Sequence, residues 1–546
     1  MNKQKTFSLI LLIIISLFLF IPNIDYLGLL STNGFDGLLA TGDLGRDFYA
    51  FERTLHGELP YKDYWWVYGP AMPFYYAAFF KLFGVNIISA LLGKTLLLLA
   101  CGIVFYLILA EIIPASYAIL GAIWFYLFGG DFFFTFNHIG GIFGLLVTAL
   151  CIALYFTRGE RKYHISAIAA IFLLFLIKLN FGFTSLITWT VSCGLSDYLF
   201  RKEDFKKNLI FYLISGGIII TLAGFAYFLL LQNLTMHEIR QCLPYLKADS
   251  PYHVSPLKAL SILIKPLFAD VFSKIVNIII SCGLLLLAAR AFLNMKKESG
   301  GKLLQNKKFL FILSMAFFAL INLHEFLKSG VYYRTYWSKP FCLLLMFLFI
   351  YFGSAKLPKI FKLAIYFYLV CFLALSTFFR FKEISLIKTP EHYLPVDRAK
   401  VFIKNSPDWV KAVSQTALFI NYNIKDKEQF FTAPYDPLYY FLSGKKAPDR
   451  QLIFFDHINI RKEQEEKIIG ALKQNNIKWV ILSNRIVSYE PGMGVFGKTN
   501  SVVLGKYIED NFGQVASFGD WIANGGWGWD HSTIALKRSD TLNEQK

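Results

Sequence analysis

Beyond Cys371 the chain contains no cysteine, and Cys101, Cys151, Cys193, Cys282, Cys342 and Cys371 all lie inside apolar runs. Only Cys242 falls in a loop, so no disulfide framework is expected. Charge is scarce as well: Asp, Glu, Lys and Arg make up 17% of 546 residues, which is below the share of an ordinary soluble domain. There is no P-loop, no Gly-x-Gly-x-x-Gly after a strand, no His-Glu-x-x-His and no cysteine pair at zinc spacing, which removes the common nucleotide and zinc sites. No internal repeat and no low-complexity linker interrupts the sequence.

What is present is apolar. Hydrophobic residues reach 55%, aromatics 18%, and the mean hydropathy is +0.48, the profile of a polytopic α-helical membrane protein. The net charge of +18 comes from short Lys and Arg clusters between apolar runs. That is the pattern of cytoplasmic loops, and no nucleic-acid partner is expected. Residues 7–21 follow Lys3 and Lys5 without a small-residue cleavage site, so they read as an uncleaved first helix.

Eleven apolar runs approach the length that crosses a hydrocarbon core of about 30 Å: 7–22, 86–112, 115–130, 139–157, 165–178, 181–200, 209–231, 268–293, 309–327, 338–353 and 363–380. Residues 71–84, which carry Pro73 and Lys81, are too short and read as an interfacial or re-entrant helix. With that choice the loops 158–164, 201–208, 294–308 and 354–362 share one side and hold fifteen Lys and Arg residues, against six in the opposite loops 131–138, 179–180, 232–267 and 328–337. The first long loop, 23–85, then lies outside the cytoplasm. The tail lies outside with it. From about residue 395 the composition becomes that of a soluble domain, and the chain divides into a transmembrane part, 1–394, and an extracytoplasmic α/β domain, 395–546. In the latter, 461–474 reads as a helix and Ile477–Leu482 as a buried strand. Phe430–Thr432 reads as a second strand, Leu438–Leu442 as a short helix closed by Gly444, and Trp521–Trp529 as a loop.

The first outer loop concentrates acids: Asp43, Asp47, Glu52, Glu58 and Asp63 alternate with Arg46, Arg53, His56 and Lys62. Asp43 and Asp47 share a face if the segment is helical. Two neighbouring carboxylates can supply a base near neutrality or hold a divalent cation. The same spacing also suits a helix cap with a solvated face, paired to Arg46 or Arg53. The run Pro60–Pro70, with Tyr61, Asp63, Trp65 and Tyr68, suits either a belt at the headgroup level or a platform on which sugar rings stack. Other polar groups expected on this side are Asp131, His138, Lys178, Asn180, His324, Glu325, Tyr333, Arg334 and Lys339, and ionisable groups at membrane depth are functional candidates.

Asp43-Leu44-Gly45, then Gly57-Glu58-Leu59-Pro60-Tyr61-Lys62-Asp63, an aromatic run, Tyr68-Gly69-Pro70 and Lys81-Leu82-Phe83-Gly84 resemble bacterial GT-C membrane glycosyltransferases, the relatives of protein O-mannosyltransferases and of the aminoarabinose transferase acting on lipid A. The segment Tyr435–Lys446 resembles their extracytoplasmic domains more loosely. The resemblance implies transfer of a sugar from a polyprenyl-phosphate donor to a glycan, lipid or protein acceptor outside the cytoplasm. It implies a base or metal-binding role for Asp43, with Asp47 standing in for a Glu that relatives carry beside the first acid. By position alone it implies a second acid at Asp131. Chemistry then assigns Lys178, Arg334 and Lys339 to the donor phosphate, and Tyr61, Asp63, Trp65, Tyr68, His138, His324, Glu325 and Tyr333 to the substrates. A divalent cation, if bound, falls to Asp43 and Asp47, and direct attack inverts the anomeric centre. A multi-helix transporter and a non-catalytic envelope-polysaccharide assembly or export protein are the rival readings.

Overall fold

The computed structural model describes residues 3–27, 38–128, 136–243, 254–264, 271–486, 493–521 and 531–539. Each of the eleven apolar runs carries a helix. Six of these, Lys3–Asn23, Ile87–Ile112, Phe136–Arg158, Phe205–Leu231, Lys307–Ser329 and Lys359–Ile387, are long and apolar enough to cross a membrane. The others are Ala115–Phe128, Lys162–Ile177, Leu179–Phe200, Val271–Glu298 and Lys339–Ser354. Lys162–Ile177 and Lys339–Ser354 have 16 residues each, which at 1.5 Å per residue is about 24 Å. Among the described residues, six helices meet the length and apolarity of a crossing by themselves.

Ile210, Leu213, Ile218 and Phe225 on Phe205–Leu231 and Leu363, Phe367 and Phe378 on Lys359–Ile387 are exposed. Large apolar side chains left outside on long helices suit a lipid surround rather than water. This is a membrane protein. Inside the bundle, a continuous apolar core joins residues such as Phe105, Phe125, Leu145, Ile171, Trp189, Phe318 and Phe347.

The segment 71–84 forms the helix Ala71–Phe83, 13 residues long, about 20 Å and too short to cross. It packs against Asp43–Leu55, the helix that holds the first acids.

Two sheets lie outside the bundle. In the first, β1 (Tyr26–Leu27) pairs in parallel with β3 (Val401–Ile403), and β2 (Tyr393–Leu394) pairs antiparallel on its other edge. The chain leaving the first helix is thereby stitched to the tail. In the second sheet the order is β4 (Phe431–Ala433), β5 (Trp479–Ser483), β7 (Thr533–Arg538) and β6 (Phe512–Phe518), with β4 parallel to β5 and the remainder antiparallel. The helix Lys462–Gln474 precedes β5, so the expected helix-to-strand unit is present. The short helix Leu438–Ser443 ends at Gly444, whose φ of 68° suits glycine. Of the aromatic loop 521–529, all but Trp521 lies outside the described residues.

The segment 38–85 and the tail share a single apolar core, with Phe48, Phe51, Trp66 and Tyr76 packed among Val401, Trp409, Leu438, Phe441 and Ile481. Glycine permits the approach. A Cβ on Gly45 would sit 2.4 Å from the backbone nitrogen of Leu438, and one on Gly42 would sit 2.5 Å from the Tyr435 ring. Gly45→Ala should therefore force the helices Asp43–Leu55 and Leu438–Ser443 apart and destabilise the protein by about 1–3 kcal/mol. A thermal unfolding midpoint in detergent equal to that of the native chain would refute this packing.

Candidate functional site

Asp43–Leu55 begins with Asp43 in its first turn, where the positive end of the helix dipole favours a carboxylate. Asp43 keeps 22% of its side-chain surface exposed, whereas Asp47, one turn on, has none. Between them lies Arg46, itself buried. Its guanidinium donates from Nη1 to Asp43 Oδ1 at 3.1 Å and to the Asp47 Oδ1 from Nε and Nη2 at 3.0 and 2.7 Å. The same guanidinium lies 5.4 Å from the Trp66 ring centroid and 5.1 Å from that of Tyr68, within cation–π range. The tail contributes Tyr435, whose hydroxyl donates to Asp43 Oδ1 at 2.8 Å and accepts from Arg46 Nη1 at 3.1 Å.

A chain of contacts continues from Tyr68. Its ring meets His138 edge to face at 5.2 Å, and His138 stacks on Trp337 at 4.2 Å. His138 Nε2 is 3.4 Å from Lys178 Nζ, and Lys178 pairs with Glu325 at 3.0 Å. The ammonium lies over the rings of Trp337 and Phe181, at 4.5 and 4.7 Å. Glu325 also accepts from Trp337 Nε1 at 2.9 Å and from Asn180, which lies 3.3 Å from His324 Nε2. The charge of Arg334 acts on Lys178, Glu325, His138 and Tyr333, and that of Asp43 on Tyr333. Asp43, Tyr68, His138, Lys178, Asn180, His324 and Glu325, far apart in sequence, are thus joined at one end of the bundle, with Tyr333 and Arg334 in electrostatic reach.

Other expected residues occupy different places. Lys339 lies over the Tyr336 ring at 3.7 Å. Tyr61 is fully buried, with its hydroxyl on the Tyr68 carbonyl. Trp65 is buried edge-on to the Tyr435 ring at 6.4 Å, and Asp63 accepts from the Leu59 amide at 2.8 Å within its turn. Asp131 lies outside the described residues. The sequence reading treated Arg46 only as a surface partner and quoted Tyr435 only within a loose resemblance. Neither spacing nor composition marks them, because the hydrogen bond that joins them bridges 389 positions.

The Asp43 and Asp47 pair, as arranged, does not fit a divalent cation. The Arg46 guanidinium occupies the space between the two carboxylates and answers their charge, and among the described residues no group of three ligand-type side chains converges.

Neither protein-family models nor curated proteins match this chain. Solved structures do. ArnT from Cupriavidus metallidurans in the apo state aligns over 97% of this chain and 98% of its own at 10% identity, with a TM-score of 0.58. The same protein bound to undecaprenyl phosphate aligns over 96% and 97% at 11% identity, with a TM-score of 0.56. The Archaeoglobus fulgidus oligosaccharyltransferase, in a complex with Zn and sulfate, aligns over 88% of this chain and 68% of its own at 12% identity, with a TM-score of 0.52. This chain has the GT-C fold. At such identities the likeness concerns architecture alone, and the GT-C scaffold leaves the chemistry to be argued from the side chains.

Burial pushes the Asp47 carboxyl up to about 6, against the pull of Arg46, which favours its ionised form. The folded protein therefore holds this proton more tightly than the unfolded chain does. Stability from this group is full at low pH and is lost as pH rises from about 4 to about 6, by at most about 3 kcal/mol. Asp47→Asn should remove that slope from the pH dependence of the unfolding midpoint. A slope in this window identical to that of the native protein would refute the assignment.

Proposed function

We propose that this chain is a membrane glycosyltransferase that moves a sugar from a polyprenyl-phosphate donor to a glycan, lipid or protein acceptor outside the cytoplasm, with inversion. The GT-C fold supports the reaction class, since structures sharing it include one bound to undecaprenyl phosphate. The observation that carries the reading is the partly exposed Asp43 carboxylate, fixed by two donors and joined through Tyr68 and His138 to the Lys178 ammonium.

Asp43 is the general base: it takes the proton of the acceptor hydroxyl as that oxygen attacks the anomeric carbon. The bond from that carbon to the phosphate oxygen breaks, its electron pair stays on the phosphate, and polyprenyl phosphate leaves. Asp47, buried and spanned by Arg46, keeps the guanidinium in place. Lys178 and Arg334 offset the charge that grows on the leaving phosphate. Lys178 is paired with Glu325, so an arriving phosphate competes with that carboxylate. Lys339, Tyr333 and His324 complete the donor side, and Asp131 remains a candidate second acid. In this reading all eleven apolar helices cross, the basic loops face the cytoplasm, and 395–546 is an extracytoplasmic domain of an inner-membrane protein.

Asp43→Asn should lower turnover at least 10³-fold, the scale expected when a general base is lost. The protein would be incubated with a panel of undecaprenyl-phosphate pentoses, aminopentoses and hexoses and with an envelope extract as acceptor. Near-native consumption of a panel donor by the variant would sink the role of Asp43. Sidedness has its own test. Lys62 and Lys202 are exposed, and in spheroplasts an impermeant thiol reagent should label Lys62→Cys directly and Lys202→Cys only after permeabilisation. The reverse order would overturn the proposed orientation.

A further inference from the structure

Tyr435 stands at the head of the helix Leu438–Ser443, and its ring is buried against Trp65, Phe455 and Gly42. Trp65 meets it edge-on at 6.4 Å and Phe455 at 5.7 Å, and Gly42 packs so closely that no methyl group would fit between. The backbone on its far side is pinned to the residues that lead into Asp43. Asp436, fully buried, accepts the Thr41 hydroxyl on Oδ1 at 2.7 Å and the Ser483 hydroxyl on Oδ2 at 2.6 Å, and the Leu438 amide donates to the Thr41 carbonyl at 3.2 Å. The tail thus grips Thr41, two residues before Asp43, and sets the Tyr435 hydroxyl at hydrogen-bond distance from the acid itself.

Both donors, Tyr435 and Arg46, act on Oδ1. Among the described residues no hydrogen bond is made to Oδ2, and Asp43 retains exposed surface. A carboxylate held through one oxygen by two donors from different directions cannot rotate freely, and its second oxygen keeps one heading. A short, charge-assisted bond from a buried phenol restricts it most, since the phenol has a single torsion to give up.

We propose that Tyr435 is a positioning residue for transfer: its hydroxyl, together with Arg46, locks Asp43 Oδ1 so that Oδ2 points at the acceptor hydroxyl. The inference rests on the glycosyltransferase reading and makes the tail part of the active centre rather than an appended module. An acid that wanders by an ångström loses the near-attack geometry on which proton abstraction depends.

Tyr435→Phe in the full-length protein keeps the ring and removes only the hydroxyl. The donor is the panel lipid that the native protein consumes, and the folded fraction is counted by stoichiometric binding of undecaprenyl phosphate. Turnover per binding site should fall about 10-fold or more, with KM for the donor within twofold and a larger solvent deuterium isotope effect, because proton transfer becomes more limiting. A packing defect alone would lower the number of sites and leave turnover per site and the isotope effect unchanged. Gly42→Ala, whose methyl group displaces the Tyr435 ring while both the Tyr435 and Asp43 side chains keep their functional groups, should reproduce the loss and decides the matter if the phenylalanine variant does not fold. Native turnover per site in Tyr435→Phe or Gly42→Ala, with Asp43→Asn inactive, overturns the positioning role and leaves the function standing. An active Asp43→Asn removes the function itself.

Discussion

A single buried guanidinium joins the first loop of this structure to its C-terminal segment. Arg46 has almost no contact with solvent, and removing such a charge from water costs several kcal/mol unless partners surround it. Here they surround it on every side: Asp43 and Asp47 along the helix, the Tyr435 hydroxyl from the tail, and the faces of Trp66 and Tyr68. These partners come from three segments, so the demand of one ion for neutralisation fixes the helix, the aromatic run that follows it and the C-terminal segment relative to one another. The close glycines exist because that convergence leaves no room for side chains. The partial exposure of Asp43 and the complete burial of Asp47 follow from the same arrangement, since the guanidinium reaches both acids only by turning one of them inward.

The second constraint is the bilayer. Polar side chains at the ends of apolar helices must satisfy one another, and they do so in a row from His138 through Lys178 to Glu325 and Asn180. At the other end of the same helices a separate network closes around the fully buried Asp197, which accepts from Tyr155, Tyr212 and Asn208. That far network is complete within the protein. The near one contains a partly exposed acid and a lysine whose carboxylate partner among the described residues also accepts from a tryptophan and an asparagine. This asymmetry separates a structural pin from a place where a ligand can enter.

Legibility from the sequence followed the range of the forces involved. Helices over the eleven apolar runs were readable because length and hydropathy are local, and the helix-to-strand unit at Lys462–Gln474 and Trp479–Ser483 was readable for the same reason. The acids Asp43 and Asp47 stood out by spacing, but spacing could not show which was buried. The aromatic run misleads in one respect: Tyr61 and Trp65 look like sugar platforms in sequence, yet their rings are committed inside the core that joins the loop to the tail. Tyr435 was illegible as a partner of Asp43 because nothing within several hundred residues of either marks the other. Glu325 was visible as a charged group at membrane depth, but its pairing with Lys178 crosses 147 positions and needs the folded bundle.

That pairing bears on how an anionic lipid could be accepted at all. An unpaired ammonium in so dry a place would be unstable, so the fold neutralises Lys178 internally, and Glu325 does this at 3.0 Å. A phosphate that replaces the carboxylate gains the ammonium but leaves Glu325 uncompensated, unless Trp337, Asn180 and the field of Arg334 hold its charge. All three are already directed at it. Under the proposed function, the energy of binding is then a difference between two anions competing for one buried cation, not the full attraction of a bare lysine. Such an exchange favours a ligand carrying more charge than a carboxylate, which a phosphate monoester acquires when its sugar departs. The same cation would then hold the product phosphate more strongly than the phosphodiester donor, and stabilisation that grows along the reaction is what lowers its barrier.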